Sequence, residues 1–319
     1  MTDRAIQYIE TQGDAPWALH LSFVKPHWPY VAPKPYHSLY TADQCLPPTR
    51  SARELEHAHP LVAAYRQHVE SVNFSRDEVV HTVRPVYQGL VQQIDDELGR
   101  LWETLDRLGR WRDTLIIFTS DHGDFLGDYW LGEKELFHDV IQRVPFILYD
   151  PDPAADPTRG SCDPHFVSAV DVVPTVLDAL GLPIQNHRLE GTSLLPLSRR
   201  GSSEQWRSFV VSELDYGFRR ARLLLGRTPD ESRGWMVRDT RWKYIHWLGY
   251  RSQLFDLEND PDEFIDLGQD AAYTNVRSLM HDRLTDWLSQ LKRRVTMGSE
   301  QVQSKTDTHK QAGVPFGQW

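Results

Sequence analysis

The sequence is poor in cysteine, with only Cys45 and Cys162 in 319 residues. Two thiols make no disulfide framework, and reduced thiols are the default of a cytoplasm. No apolar run approaches the ~20 residues that a membrane helix needs. The first ten residues, Met1 to Glu10, hold no apolar signal core, so a cytoplasmic location is the expectation. Positive charge is outnumbered, 35 Lys and Arg against 45 Asp and Glu, for a formal charge of −10. Such a chain has no broad attraction for nucleic acid or anionic lipid. Gly-x-Ser-x-Gly, Gly-x-Gly-x-x-Gly and the P-loop pattern are absent. A serine-hydrolase elbow, a dinucleotide site and a P-loop NTPase therefore have no support. What is present is a core: 40% hydrophobic residues are enough for one large domain or a domain with an appendage.

Residues 3–12 read as a short helix broken at Gly13, and 18–24 as a strand. The stretch Lys25 to Pro35 is too rich in proline for helix or central strand and reads as a stiff loop. Residues 41–60 read as further loop. Tyr87, Leu90, Val91, Ile94, Leu98, Leu101, Trp102 and Leu105 recur at helical spacing, which predicts a long helix over about 84–108. Gly109 sits where a C-cap belongs. The apolar runs 114–119 and 145–149 have the length of strands buried on both faces, as in a parallel sheet. Val172 to Leu180 reads as helix. After about 205 the pattern changes to four short, closely spaced strands at 209–213, 234–237, 242–246 and 253–256, expected as an antiparallel sheet. A final amphipathic helix covers 273–294. The fold class expected is α/β, an open sheet flanked by helices with a smaller carboxyl-terminal sheet-and-helix subdomain.

Ligands of open α/β sheets sit at the carboxyl ends of strands. Asp121 and His122 follow the run 114–119 directly, within Thr119-Ser120-Asp121-His122-Gly123. Such a pair can offer a carboxylate oxygen and an imidazole nitrogen to one divalent ion. The 11 residues from Gly123 to Glu133 contain three glycines, enough to loop Lys134 back to the same edge.

The segment Ser120 to Lys134 resembles the sulfatase and phosphonate monoester hydrolase branch of the alkaline phosphatase superfamily. Its marks are the Asp-His pair, Gly127-Asp128 and Lys134 at their spacings. Lys25-Pro26-His27-Trp28-Pro29 is similar to that family's Lys-Pro-His-x-Pro loop. Asp171 to Pro183, Leu189 to Pro196 and Gln253 to Glu263 are similar to its later signatures. The resemblance implies that Asp121 and His122 are metal ligands. It implies that Lys134 faces the nucleophile and the anion's oxygens, and that His27 stands near the leaving oxygen. One divalent ion, Mn²⁺ or Ca²⁺, is implied, with imidazole favouring Mn²⁺. The expected partner is a small anionic ester, with no nucleic acid and no membrane; a homo-oligomer stays open.

The family's nucleophile is a formylglycine made from Cys or Ser in Cys/Ser-x-Pro-x-Arg, and that motif does not occur here. Cys45 has Pro47 two residues on but Thr49 where Arg belongs; Cys162 lacks the Arg altogether. No nucleophile is assigned in this chain, and formylglycine is expected only in a full-length form. The expectation is therefore a metal-dependent hydrolase of sulfate, phosphonate or phosphate esters, amino-terminally truncated and inactive alone. The alternative is a non-catalytic remnant or a partner chain of a sulfatase-like protein. The expected domains are 1–205 as an incomplete catalytic α/β domain, 206–295 as the sheet-and-helix subdomain, and 296–319 as a loose tail. His57 and His59 read as solvated surface. Arg219, Arg220 and Arg222 read as solvated charge or as the wall of an anion pocket.

Overall fold

The computed structural model describes residues 1–200, 206–292 and 295–306. The chain opens with α1 (Thr2–Gln12), then a long irregular stretch, then short helices α2 (Pro60–Tyr65) and α3 (Val69–Phe74). The helix α4 (Asp77–Arg107) follows, and Gly109 after it takes φ +65°. Strand β1 (Ile116–Thr119), helix α5 (Asp139–Gln142) and strand β2 (Phe146–Tyr149) come next, then α6 (Val172–Ala179). Four strands form the last sheet: β3 (Val210–Asp215), β4 (Arg233–Arg238), β5 (Trp242–Trp247) and β6 (Gln253–Asp256). Helix α7 (Thr274–Gln290) follows the sheet. No helix of the described residues is long and apolar enough to cross a membrane. Of the expected tail, Ser299–Lys305 is helical and residues 307–319 lie outside the described residues.

The chain divides into two compact units: Met1–Pro151 with Val211–Met280, and Asp152–Val210 with His281–Trp319. In the first unit, the α4 period is realised as packing. Leu101 and Leu105 of α4 bury against Ala5 and Ile9 of α1, with Trp17, Leu21, Trp111 and Ile116 around them. The four-stranded sheet runs β3-β4-β5-β6, with β4–β5 and β5–β6 antiparallel, as the close spacing implies. Met236, Ile245, Trp247 and Phe255 of this sheet share one core with Leu61, Phe125, Tyr129, Leu131, Leu136 and Phe137. The segment between Asp121 and Arg143 is thus anchored to the sheet through Phe125, Tyr129, Leu131, Leu136 and Phe137.

Two strand expectations need correction. β1 and β2 pair antiparallel, Ile116 opposite Tyr149 and Thr119 opposite Phe146, and both are half-buried, with Ile147 60% exposed. A continuous apolar run reports burial propensity and carries no information on strand direction. Residues 18–24 join no ladder among the described residues. The alternation is there, Leu21 and Phe23 half-buried between exposed His20, Ser22 and Val24, but no neighbouring strand takes up its backbone groups.

In the second unit, Asp171 organises the start of α6. It is fully buried, accepts from Ser168 N and Thr192 N at 2.8 Å each, and pairs with Arg207.

Candidate active site

Lys134 is brought back to Asp121–His122 by a folded loop. Phe125 N donates to Glu133 O at 2.8 Å and Gly127 N to Leu131 O at 2.9 Å, so the chain doubles on itself. The turn demands backbone that side chains resist. Leu126, Tyr129, Trp130, Glu133, Glu135 and Leu136 all have φ between +45° and +75°. Left-handed backbone costs an L-residue roughly 1–2 kcal/mol, and such strain persists only where surrounding contacts over-determine it. Here three arginines do so. Arg84 Nε donates to Leu126 O at 3.0 Å, Arg50 Nε to Gly127 O at 2.7 Å and Arg66 Nε to Tyr129 O at 3.0 Å. Arg84 also holds Asp128 at 2.6 Å, and Arg50 lies over the Trp130 ring.

The far end of the loop is tied to the sheet. Buried Lys243 donates to Phe137 O at 2.9 Å, Asp139 Oδ1 at 2.5 Å and Glu263 Oε2 at 2.7 Å. Glu263 Oε1 accepts Asp139 N at 2.7 Å, and Arg238 reaches Asp139 at 3.1 Å. Burial pushes the Glu263 carboxyl up against the pull of Lys243. Burial also acts on Asp139, but Lys243 and Arg238 together hold it below the usual carboxylate range. Gly123 gives the loop its entry. A Cβ there would stand 2.0 Å from Val140 O, so only glycine lets α5 approach the Asp-His turn.

The four residues read from the sequence come together. Lys134 Nζ lies 2.8 Å from His122 Nε2 and 3.3 Å from His27 Nε2, and Asp121 Oδ2 lies 3.5 Å from His122 Nε2. The imidazole rings stand 5.8 Å apart at their centres. His122 Nδ1 is 2.7 Å from Gly123 O and His27 Nδ1 is 3.0 Å from Trp28 O. A carbonyl only accepts, so each Nδ1 carries the hydrogen and each Nε2 turns its lone pair to the shared centre. Asp121 is largely exposed, with a side chain 85% accessible. Beside Lys134 opens a cavity of about 240 Å³, lined by His122, Lys134, Leu136, Phe137, Gln142 and Leu214.

Asp121 and His122 suit a divalent ion as far as they go. A nitrogen lone pair and a carboxylate oxygen 3.5 Å apart can both reach an ion with bonds of about 2.0–2.6 Å. The Nε2 lone pair already faces a cation, the Lys134 ammonium. Among the described residues no group of three or more His, Cys, Asp or Glu converges, so this chain's described part offers two donors.

Several functional contacts have no clear sequence signal. Tyr30 donates to Asp124 at 2.7 Å, joining the His27 loop to the Asp-His turn. Burial pushes the Tyr30 phenol well up and the Asp124 carboxyl up to about 6. Asp124 lies in the quoted motif and could have been weighed from it; the three arginines and Lys243 could not. His59 overturns its reading as surface. It is 2% exposed, caps α2 by accepting Leu61 N, faces Arg251 O at 2.9 Å, and burial pushes it down to about 4. A buried neutral imidazole with both nitrogens engaged is a structural group. Arg219 pairs with Glu135, next to Lys134, while Arg222 bonds Gly217 O and Arg227 O. Cys45 points its thiol at Thr41 O, 3.6 Å away.

Comparison with known proteins bears on the whole chain. A family model described as Sulfatase matches residues 1–182, and one described as N-sulphoglucosamine sulphohydrolase, C-terminal, matches 127–290. The multifunctional alkaline phosphatase superfamily protein PehA of Trinickia caryophylli is 33% identical over 92% of this chain and 60% of its own length. A choline-sulfatase of Rhizobium meliloti is 31% identical over 82% of this chain and 48% of its own. The crystal structure of a phosphonate monoester hydrolase of Agrobacterium radiobacter superimposes with a TM-score of 0.83 at 34% identity. It covers 91% of this chain and 60% of that one. The chain thus spans roughly half to three-fifths of the length of these relatives. With a family model over more than half its residues and a relative at 33% identity across nearly all of it, the chain belongs to the sulfatase family of the alkaline phosphatase superfamily.

Proposed function

We propose that this chain holds the anion-binding side of a metal-dependent hydrolase of sulfate or phosphonate esters. The observation that carries the reading is Lys134 Nζ poised between the Nε2 atoms of His122 and His27. A compact ammonium held there binds a tetrahedral anion and gains as charge builds on the transferring group. Asp121 and His122 would hold the divalent ion, Mn²⁺ or Ca²⁺, which when bound supplies Lewis-acid stabilisation of the same oxygens. His27 and Lys134 stand 3.3 Å apart, close enough for an N–H between them. An N–H of Lys134 directed at His27 would be a proton source for the leaving oxygen that the resemblance sets beside His27. The cavity of about 240 Å³ beside them has room for a small leaving group. The sequence offers no Cys/Ser-x-Pro-x-Arg, so we propose anion binding without turnover for the chain by itself.

The test is calorimetric titration of sulfate, phosphate and phenylphosphonate into the purified chain with Mn²⁺, beside assays on aryl sulfate and phenyl phosphonate esters. Expected are binding, its loss in Lys134→Ala, and no hydrolysis. Robust turnover that survives Cys45→Ala and Cys162→Ala overturns the account of the nucleophile. Absence of anion binding in the folded chain favours a non-catalytic remnant.

A further inference from the structure

We infer that Tyr30 is a positioning residue, whose hydrogen bond to Asp124 holds His27 against Lys134. His27 sits on a stretch with little else to fix it. Val24, Trp28 and Val31 around it are 71%, 50% and 67% exposed, and the stretch belongs to no sheet among the described residues. Its later part is pinned to α4 by Tyr36 donating to Asp96 and Tyr40 donating to Gln92, but those contacts lie nine and thirteen residues beyond His27. Tyr30 is three residues away. Its ring is wedged edge-on against Phe74 at 5.8 Å and near Tyr87 at 6.4 Å, so the hydroxyl has one direction to point. It reaches Asp124 Oδ2 at 2.7 Å, and Asp124 Oδ1 is itself fixed by Leu126 N at 3.1 Å.

The bond therefore joins a point three residues after His27 to a point two residues after His122. Those two imidazoles are the ones whose Nε2 atoms share Lys134. Loss of the bond leaves the His27 loop with no polar anchor near it among the described residues besides the 3.3 Å contact of His27 with Lys134 itself, while the His122 turn keeps its own contacts. The spacing of 5.8 Å between the rings is then no longer enforced from the loop side. The consequence for catalysis rests on the function proposed above; the restraint itself does not.

The test reads the restraint in the full chain. Diethyl pyrocarbonate acylates the free lone pair of an imidazole, and peptide mass spectrometry resolves each histidine. Tyr30→Phe keeps the ring against Phe74 and removes only the hydroxyl. It should raise the rate at His27 about fivefold, the scale of one hydrogen bond, while the buried His59 stays unreactive. Asp124→Ala should do the same, and the double variant should be no faster than either single one. An unchanged His27 rate in folded Tyr30→Phe overturns the inference. A parallel rise at His59 also overturns it, because Tyr30 is then merely a stabilising residue. Loss of sulfate binding in wild type with the His27 effect intact would sink the proposed function and leave the restraint standing.

Discussion

Removing the Lys243 ammonium should destabilise the fold where the Lys134 loop is tied to the sheet. Lys243 is wholly buried and its three donors meet Phe137 O, Asp139 and Glu263, the last with a side chain 1% exposed. Lys243→Met keeps the bulk of the stem and deletes the charge. Asp139 retains Arg238 at 3.1 Å, but Glu263 keeps only a backbone N–H. Breaking a buried pair by removing one partner costs about 3–5 kcal/mol, a large part of a domain's total of about 5–15 kcal/mol. A unit of this size loses about 2–4 °C of Tm per kcal/mol, so a drop of roughly 6–20 °C is expected. Burial already pushes the Glu263 carboxyl up. Without Lys243 it rises further, so the loss should be larger at pH 8 than at pH 5, where a proton can replace the ammonium. Lys243→Met with Glu263→Gln should recover part of the loss by neutralising the orphan. The assay is thermal unfolding by far-ultraviolet dichroism at both pH values. A drop under ~2 °C, or a double variant no better than the single, would refute the argument that an uncompensated charge is the cause.

Two further outcomes follow from desolvated and tightly packed groups. Burial pushes His59 down to about 4 and His138 down to about 3, against 6.5 for each unfolded. Below pH 6.5 the unfolded chain binds protons that the fold refuses, so stability is complete above that pH and falls as pH drops toward 4. Unfolding at pH 5 should take up close to two protons from these groups, measured as the slope of stability against pH; a flat profile between pH 7 and 4.5 contradicts the desolvation of the two imidazoles. Gly123→Ala must displace Val140 O from the Cβ it would meet at 2.0 Å. It should cost about 1–3 kcal/mol and weaken sulfate binding together with stability, whereas an unchanged Tm means that α5 yields freely.

Much of the fold is readable because its elements bury one face. α4 and α7 show the helical period, and the strands β3–β6 show their brevity and close spacing. The convergence of His27, Asp121, His122 and Lys134 was also legible, since each lies in a motif with its own spacing. Other features leave no such trace. The pairing of β1 with β2 depends on which strand is adjacent, which an apolar run does not encode. His59 looks polar in sequence and becomes buried because a peptide N–H and a carbonyl satisfy its two nitrogens. Leu126, Tyr129, Trp130 and Glu133 are ordinary residues in a left-handed conformation for which their side chains give no warning. Only glycine advertises that conformation, and of the loop's three glycines only Gly127 adopts it.

The position of Lys134 is thus decided by residues far from it in the chain. Six left-handed residues at about 1–2 kcal/mol each would let the loop spring open if it stood alone. Hydrogen bonds from a charged donor contribute about 1.5–3 kcal/mol each. Arg50, Arg66 and Arg84 place theirs on the carbonyls of Gly127, Tyr129 and Leu126, the strained stretch itself. Arg50 and Arg84 have side chains only 7% and 13% exposed, so water competes little for these bonds. The core adds Phe125, Tyr129, Leu131, Leu136 and Phe137, whose burial closes the loop onto the sheet. Strain and restraint are therefore of similar size, and each needs the other: the bent backbone aims Lys134, and the arginines keep it bent. A relaxed loop of the same length would leave Lys134 free to follow solvent. The ammonium instead is held at 2.8 and 3.3 Å from the Nε2 atoms of His122 and His27.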